Sequence, residues 1–149
     1  MFDQILIPTD GSGPALRAAE TGVELAATHG ASVHAFAAVE PVPLGGFTSG
    51  PSPASAEHGE IIEEQETEAQ SAIDEIVDLC TDHDVEAVEA LTHGKPDTAI
   101  IEYVDEHDVD AIVMGTHGRS GTERLLLGSV TEKVVRKSPV PVLTVRVGD

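Results

Sequence analysis

Short apolar runs alternate with helical patterns along this 149-residue chain, and that alternation admits very few architectures. The runs at residues 3–8, 31–39, 85–91, 110–114 and 140–146 are short and nearly continuous in Val, Ile, Leu and Ala. Strands of that kind are buried on both faces, as in a parallel sheet. Between them, residues 14–29, 56–83, 96–107 and 128–137 carry helical spacing. Ser12 or Gly13 can cap the first helix, Pro14 suits its first position and Gly30 closes it. Right-handed crossovers then predict an α/β, doubly wound, five-stranded parallel sheet of order 3-2-1-4-5 with helices on both faces. Pro141, inside the last run, places that strand at an edge. The length suits a single domain over residues 1–149. Residues 40–55, EPVPLGGFTSGPSPAS, are too polar and broken for an element and read as a flexible, functional loop.

In such sheets ligands bind at the carboxyl ends of strands where the winding reverses, here between the first and fourth strands. The loops that meet there are residues 8–13 and 114–128. The second runs as GTHGRSGTERLLLGS over 115–129: Gly, two residues, Gly, nine residues, Gly-Ser. Glycines allow close backbone approach, and the free N–H groups of a helix start point at an anion. Residues 115–137 also hold five of the eight basic residues against two glutamates. Lys133, Arg136 and Lys137 are accounted for by the helix dipole, but Arg119 and Arg124 precede the helix and are not. Asp10 would repel phosphates; its carboxylate suits ribose hydroxyls, or it is a plain Asp-Gly turn residue. His117, inside the glycine loop, suits donation to a phosphate.

The net charge of −19 narrows the function classes. Residues 18–94 contain no Lys or Arg against 16 Asp and Glu. With one Tyr, three Phe and no Trp there is neither a basic face nor a stacking set, so nucleic acid is not the expected partner. Carboxylates spread along every helix point instead to a halophile's cytoplasm, where molar salt screens them within about 3 Å. No apolar run is long enough to span a membrane, and the N-terminus begins on a strand pattern rather than a leader. Cys80 continues the helical stripe of Ile73, Ile76 and Val77 and reads as a core thiol. No Walker sequence and no Gly-x-Ser-x-Gly occur, and the seven histidines form no metal-binding spacing. Catalytic residues are therefore not assigned.

With both crevice and loop identified, the chain resembles the universal stress protein family over essentially its whole length. The Gly115-x2-Gly118-x9-Gly128-Ser129 spacing is similar to that of its ATP-binding subclass. The opening Ile5-Leu-Ile-Pro-Thr-Asp10-Gly-Ser and the closing Ser138-Pro-Val-Pro-Val-Leu-Thr-Val145 are also family-like. The resemblance implies an adenine-nucleotide alpha-hydrolase-like fold and homodimers paired through the last strand, residues 140–146, which would cover the exposed edge. It implies ATP as ligand, with Mg2+ or Mn2+ bridging phosphates and Ser129 or Thr131 as nearby oxygens. Pro8, Thr9 and Ala38 would line the adenine slot through their backbone, with Asp10 on the ribose or adenine side. Ala38 stands where the family usually has a larger aliphatic residue. Met114 and Gly115 would flank the ribose and first phosphate. His117, Gly118 and Arg119 would surround the phosphates, and Gly128, Ser129 and Val130 would cradle the terminal ones. Three functions stay open: an ATP-binding regulator with slow or no hydrolysis, a slow ATPase or nucleotidyl-transfer enzyme, and a nucleotide-free dimeric interaction module.

Overall fold

The computed structural model describes residues 2–40, 54–117 and 128–146, and their side chains apart from 54–60. In chain order the elements are β1 (Gln4–Pro8), α1 (Gly13–His29), β2 (Ser32–Val39), α2 (Ala54–Asp82), β3 (Ala87–His93), α3 (Pro96–Glu106), β4 (Ala111–Gly115), α4 (Ser129–Lys137) and β5 (Val142–Val145). The five strands form one sheet of order β3-β2-β1-β4-β5, every ladder parallel. The expected winding is thus the observed one, and β5 lies at an edge with Pro141 just before its first residue. Two boundaries differ. β3 starts and ends two residues later than expected, because its register follows β2, Val33 opposite Ala87 through Val39 opposite His93. α2 takes in Ala54 and Ser55, which the sequence assigns to the loop; residues 41–53 of that loop lie outside the described residues.

Strand alternation sends successive residues to opposite faces. Ile5 and Ile7 of β1, Val33, Ala35 and Ala37 of β2 and Val113 of β4 meet Ala19 and Val23 of α1 and Ile73 and Ile76 of α2. Leu6, Phe36, Ile112 and Met114 face the other way, onto Ile100 and Val104 of α3 and Val134 of α4. The three central strands, β1, β2 and β4, are therefore apolar on both sides, the physical reason their sequences read as continuous runs, whereas the edge strands β3 and β5 are partly exposed. Gly22 lets α1 lie close on the sheet: a Cβ there would come within 2.6 Å of Ile7 Cδ1 and 3.2 Å of Val113 Cβ. Cys80 is fully buried in the α1/α2-side core, and burial pushes its thiol up to about 11.

Local signals set the helix ends. Ser12 is the N-cap of α1 and accepts a hydrogen bond from Ala15 N at 3.2 Å. Gly30 closes the helix with φ +67°, a left-handed turn that favours glycine. On the opposite face Asp97, in the first turn of α3, meets Lys137 at the end of α4 at 3.3 Å. Burial acts to raise the Asp97 carboxyl. The hydrogen bond and charge of Lys137, with the charge of Lys133 and a backbone hydrogen bond, outweigh it and hold the group below its ordinary value.

His34 of β2 bonds through both ring nitrogens. Its Nδ1 lies 2.6 Å from Tyr103 Oη and its Nε2 lies 2.6 Å from Gln4 Oε1. The Gln4 oxygen can only accept, so Nε2 carries the proton and Nδ1 accepts from the phenol. Desolvation, then the charge of nearby His107, lowers the His34 pKa below its ordinary 6.5. Below pH 6.5 the unfolded chain therefore binds a proton that folded His34 refuses, and stability falls as pH falls through that window. The thermal midpoint is expected to drop between pH 7.5 and 5.5 by more in the wild type than in His34→Gln, which keeps hydrogen-bonding capacity without the titration. Equal drops in the two proteins would remove His34 as the cause.

Candidate functional site at the carboxyl ends of β1, β2 and β4

The β1·β4 ladder pairs Ile5 with Ala111 and Leu6 with Ile112 and then stops. Beyond it β1 continues along β2 as far as Pro8 opposite Phe36, while β4 continues along β5 as far as Gly115 opposite Val145. The two central strands thus part company at their carboxyl ends, and a crevice opens where the winding reverses.

One wall is the turn after β1. Thr9 N donates to Phe36 O at 2.8 Å and extends the ladder by one bond. Gly11 N donates to Thr9 Oγ1 and Ser12 N to Asp10 Oδ1, each at 3.0 Å. Gly11, at φ +81°, turns the chain sharply into α1. Asp10 therefore serves the turn and also lines a pocket of about 200 Å3 with Thr9, Ala37, Ala38, Val39, Glu40 and, from α2, Gln65, Glu68 and Ala69. The turn reading of Asp10 describes its hydrogen bond with Ser12 N. That volume is below the roughly 300 Å3 at which whole-ligand pockets begin, so it suits one planar ring rather than an entire nucleotide. Asp10, Glu40 and Glu68 make this end of the crevice negative, which disfavours phosphate there.

The opposite wall is the exit of β4. Gly128 N donates to Thr116 O at 2.8 Å, so the chain leaves β4 and returns to α4 at one point. Thr131, buried in the first turn of α4, donates from Oγ1 to Gly115 O at 2.9 Å. This bond ties the helix start to the strand end. A Cβ on Gly115 would lie 3.2 Å from His117 O, and one on Gly128 would lie 3.3 Å from Thr116 O. Backbone approaches backbone closely at both places, so a side chain there would make the neighbouring backbone give way by a few tenths of an ångström. Gly128 is the N-cap of α4 and gives it no side-chain cap, unlike Ser12 at α1. The first N–H groups of a nine-residue helix thus face the crevice without that partner.

The residues expected at the site divide accordingly. Thr9, Asp10 and Ala38 meet in the pocket, with Pro8 at the end of β1 beside them. Gly115, His117, Gly128 and Ser129 meet at the β4 exit, where His117 Nδ1 lies 3.2 Å from Thr116 Oγ1. Met114, beside Gly115 at the end of β4, buries its side chain in the α3/α4-side core. Val130 likewise packs its side chain on that core. Thr131 is occupied in tying α4 to β4. Gly118 and Arg119, and Arg124 with them, lie outside the described residues. The α2 wall, with Gln65 and Glu68, was not legible in the sequence, since a helix rich in Glu and Gln does not announce which of them face a pocket. Among the described residues no three His, Cys, Asp or Glu side chains gather to hold a metal ion, and no helix is long and apolar enough to cross a membrane.

A five-stranded parallel sheet of this order, with its crevice at the reversal, defines an adenine-nucleotide alpha-hydrolase-like α/β protein. Within that class, the universal stress protein family matches residues 1–146, and the chain belongs to it. Universal stress protein MJ0531 of Methanocaldococcus jannaschii is 34% identical over 146 residues, 98% of this chain and 83% of the relative. Universal stress protein UspA from Lactobacillus plantarum superposes with a TM-score of 0.82 at 26% identity, covering 97% and 98% of the two chains. Two similar structures hold nucleotides. A universal stress protein in complex with cAMP has a TM-score of 0.66 at 27% identity, with 97% of each chain covered. The protein from Archaeoglobus fulgidus in complex with dAMP has 0.55 at 25%, again with 97% of each covered.

Proposed function

We propose that this protein is an adenine-nucleotide-binding regulator whose occupancy by ATP sets its conformation or dimer state, with slow or no hydrolysis. The observation that carries the reading is the polarity of the crevice. An acidic, ring-sized pocket stands at one end, and a helix N-terminus without a side-chain cap stands at the other. A base fits the first and repels no one there; a phosphate chain fits the second. In this reading the backbone at Pro8, Thr9 and Ala38 borders the base, Asp10 accepts from ribose hydroxyls, and Gly115, Gly128, Ser129 and Val130 offer backbone to the phosphates. His117, Gly118 and Arg119 complete the phosphate side. The complexes of family members with cAMP and dAMP support an adenine ligand. A divalent ion bridging phosphates has the exposed Ser129 hydroxyl as its neighbour rather than Thr131. β5 is an edge strand with Leu143 exposed, and we assign it the homodimer contact; a monomer in sedimentation at micromolar concentration would remove that assignment.

Protein purified and denatured in molar KCl is expected to release adenine nucleotide. Emptied protein is expected to gain about 5–10 °C in thermal midpoint at ATP-magnesium near 100 times Kd. Neither release nor shift would leave a nucleotide-free interaction domain. Phosphate release above about 1 per second would make the protein an enzyme instead.

A further inference from the structure

We propose that Gln65 reads the base, its carboxamide oxygen accepting a hydrogen bond from the exocyclic amine of adenine. This rests on the nucleotide reading above and names the specificity-determining residue of the same site. Gln65 stands on α2 in the wall of the pocket, between the ends of β1 and β2 on one side and Glu68 and Ala69 on its own helix. Its Oε1 is buried and has no hydrogen-bond partner among the described residues. A buried acceptor left in that state carries its full desolvation cost, which is why so few persist in folded proteins. A donor entering the pocket removes the cost once the carboxamide turns the oxygen toward it. The terminal torsion of Gln is broad, so the oxygen can turn toward that donor with little strain.

The rest of the wall points to the same ligand chemistry. Asp10, Glu40 and Glu68 contribute carboxylates, and Thr9 Oγ1 already accepts from Gly11 N at 3.0 Å. Ionised carboxylates only accept. The Gln65 oxygen calls for a ring edge that donates, and the amine at position 6 of adenine supplies two protons. A purine without that amine fills the same space and leaves the Gln65 oxygen unmatched.

The test compares ATP with purine riboside 5′-triphosphate, which lacks the amine, by calorimetry in molar KCl with magnesium. Wild-type protein is expected to prefer ATP by about ten-fold or more, since a site built around a hydrogen bond rejects the analogue lacking it. In Gln65→Leu and Gln65→Met the preference is expected to shrink to within about two-fold, chiefly through weaker ATP binding. The nucleotide-free thermal midpoint of Gln65→Leu should equal or exceed that of wild type, because the orphaned acceptor is gone. Either variant keeping the wild-type preference would overturn the proposal, as would equal wild-type affinity for the two nucleotides. Wild-type protein that binds neither nucleotide would instead overturn the nucleotide reading itself, and this assignment with it.

Discussion

Gly128→Val is expected to weaken ATP binding by at least about 100-fold, equivalent to about 2.7 kcal/mol, while leaving the sheet folded. The expectation follows from where Gly128 stands. Its N–H closes the loop onto Thr116 O, and it opens α4 as the N-cap. A Cβ there would lie 3.3 Å from Thr116 O and 3.4 Å from His117 Cα, both backbone atoms that cannot swing aside. The branched side chain therefore pushes the helix start away from β4, and the N–H groups proposed to hold the phosphates move with it. The fold loses less, because a glycine N-cap contributes no side-chain hydrogen bond; a change of about 1 kcal/mol is expected. Calorimetry with ATP and a urea melt on the same preparation separate the two effects. Affinity within a few-fold of wild type would mean that the phosphates lie elsewhere.

Phe36→Ala is expected to remove about 3–5 kcal/mol of stability, a large share of the roughly 5–15 kcal/mol that holds a domain together. The chain has three Phe and no Trp, and its core is built mainly from Val, Ile, Leu and Ala. Phe36 is among the largest of its fully buried side chains. Its ring meets Tyr103 edge-on at 5.3 Å and 64° and shares the α3/α4-side core with Leu6, Ile100 and Met114. Small neighbours on a β-sheet collapse poorly into such a gap, so the cavity persists. A urea denaturation midpoint shifted by less than about 1 kcal/mol equivalent would show that the two helices close over the space. The same residue's carbonyl holds Thr9 N at the pocket, so nucleotide response should weaken along with stability.

The order of elements was readable because the central strands are apolar on both faces and α1 announces both its ends. Ser12, Pro14 and Gly30 act within a few residues of themselves, and the structure places them as a cap, a first turn and a left-handed stop. The crevice was readable too, since two loops at the reversal could be named from the winding alone. Within it, assignment was uneven. Gly115 and Gly128 stand where backbone approaches backbone closely. Met114 sends its side chain into the α3/α4-side core, because alternation tells which residues share a face but not which face carries which helix. Thr131 gave no signal of its tie to the strand end, since the Gly115 oxygen that accepts its hydroxyl proton lies sixteen positions away. His34 gave no signal of its network, since Gln4 and Tyr103 lie 30 and 69 positions away.

The sequence by itself determined the layered α/β architecture, the strand order and the strand ends at which the crevice opens, because periodicity, capping and crossover handedness act locally and with one sign. Only the tertiary structure decided that α2 walls the pocket with Gln65 and Glu68, that β3 slides two residues along β2, and that Thr131 joins strand to helix. Those outcomes depend on which helix face docks and in what register, and they are set by contacts between residues far apart in the chain.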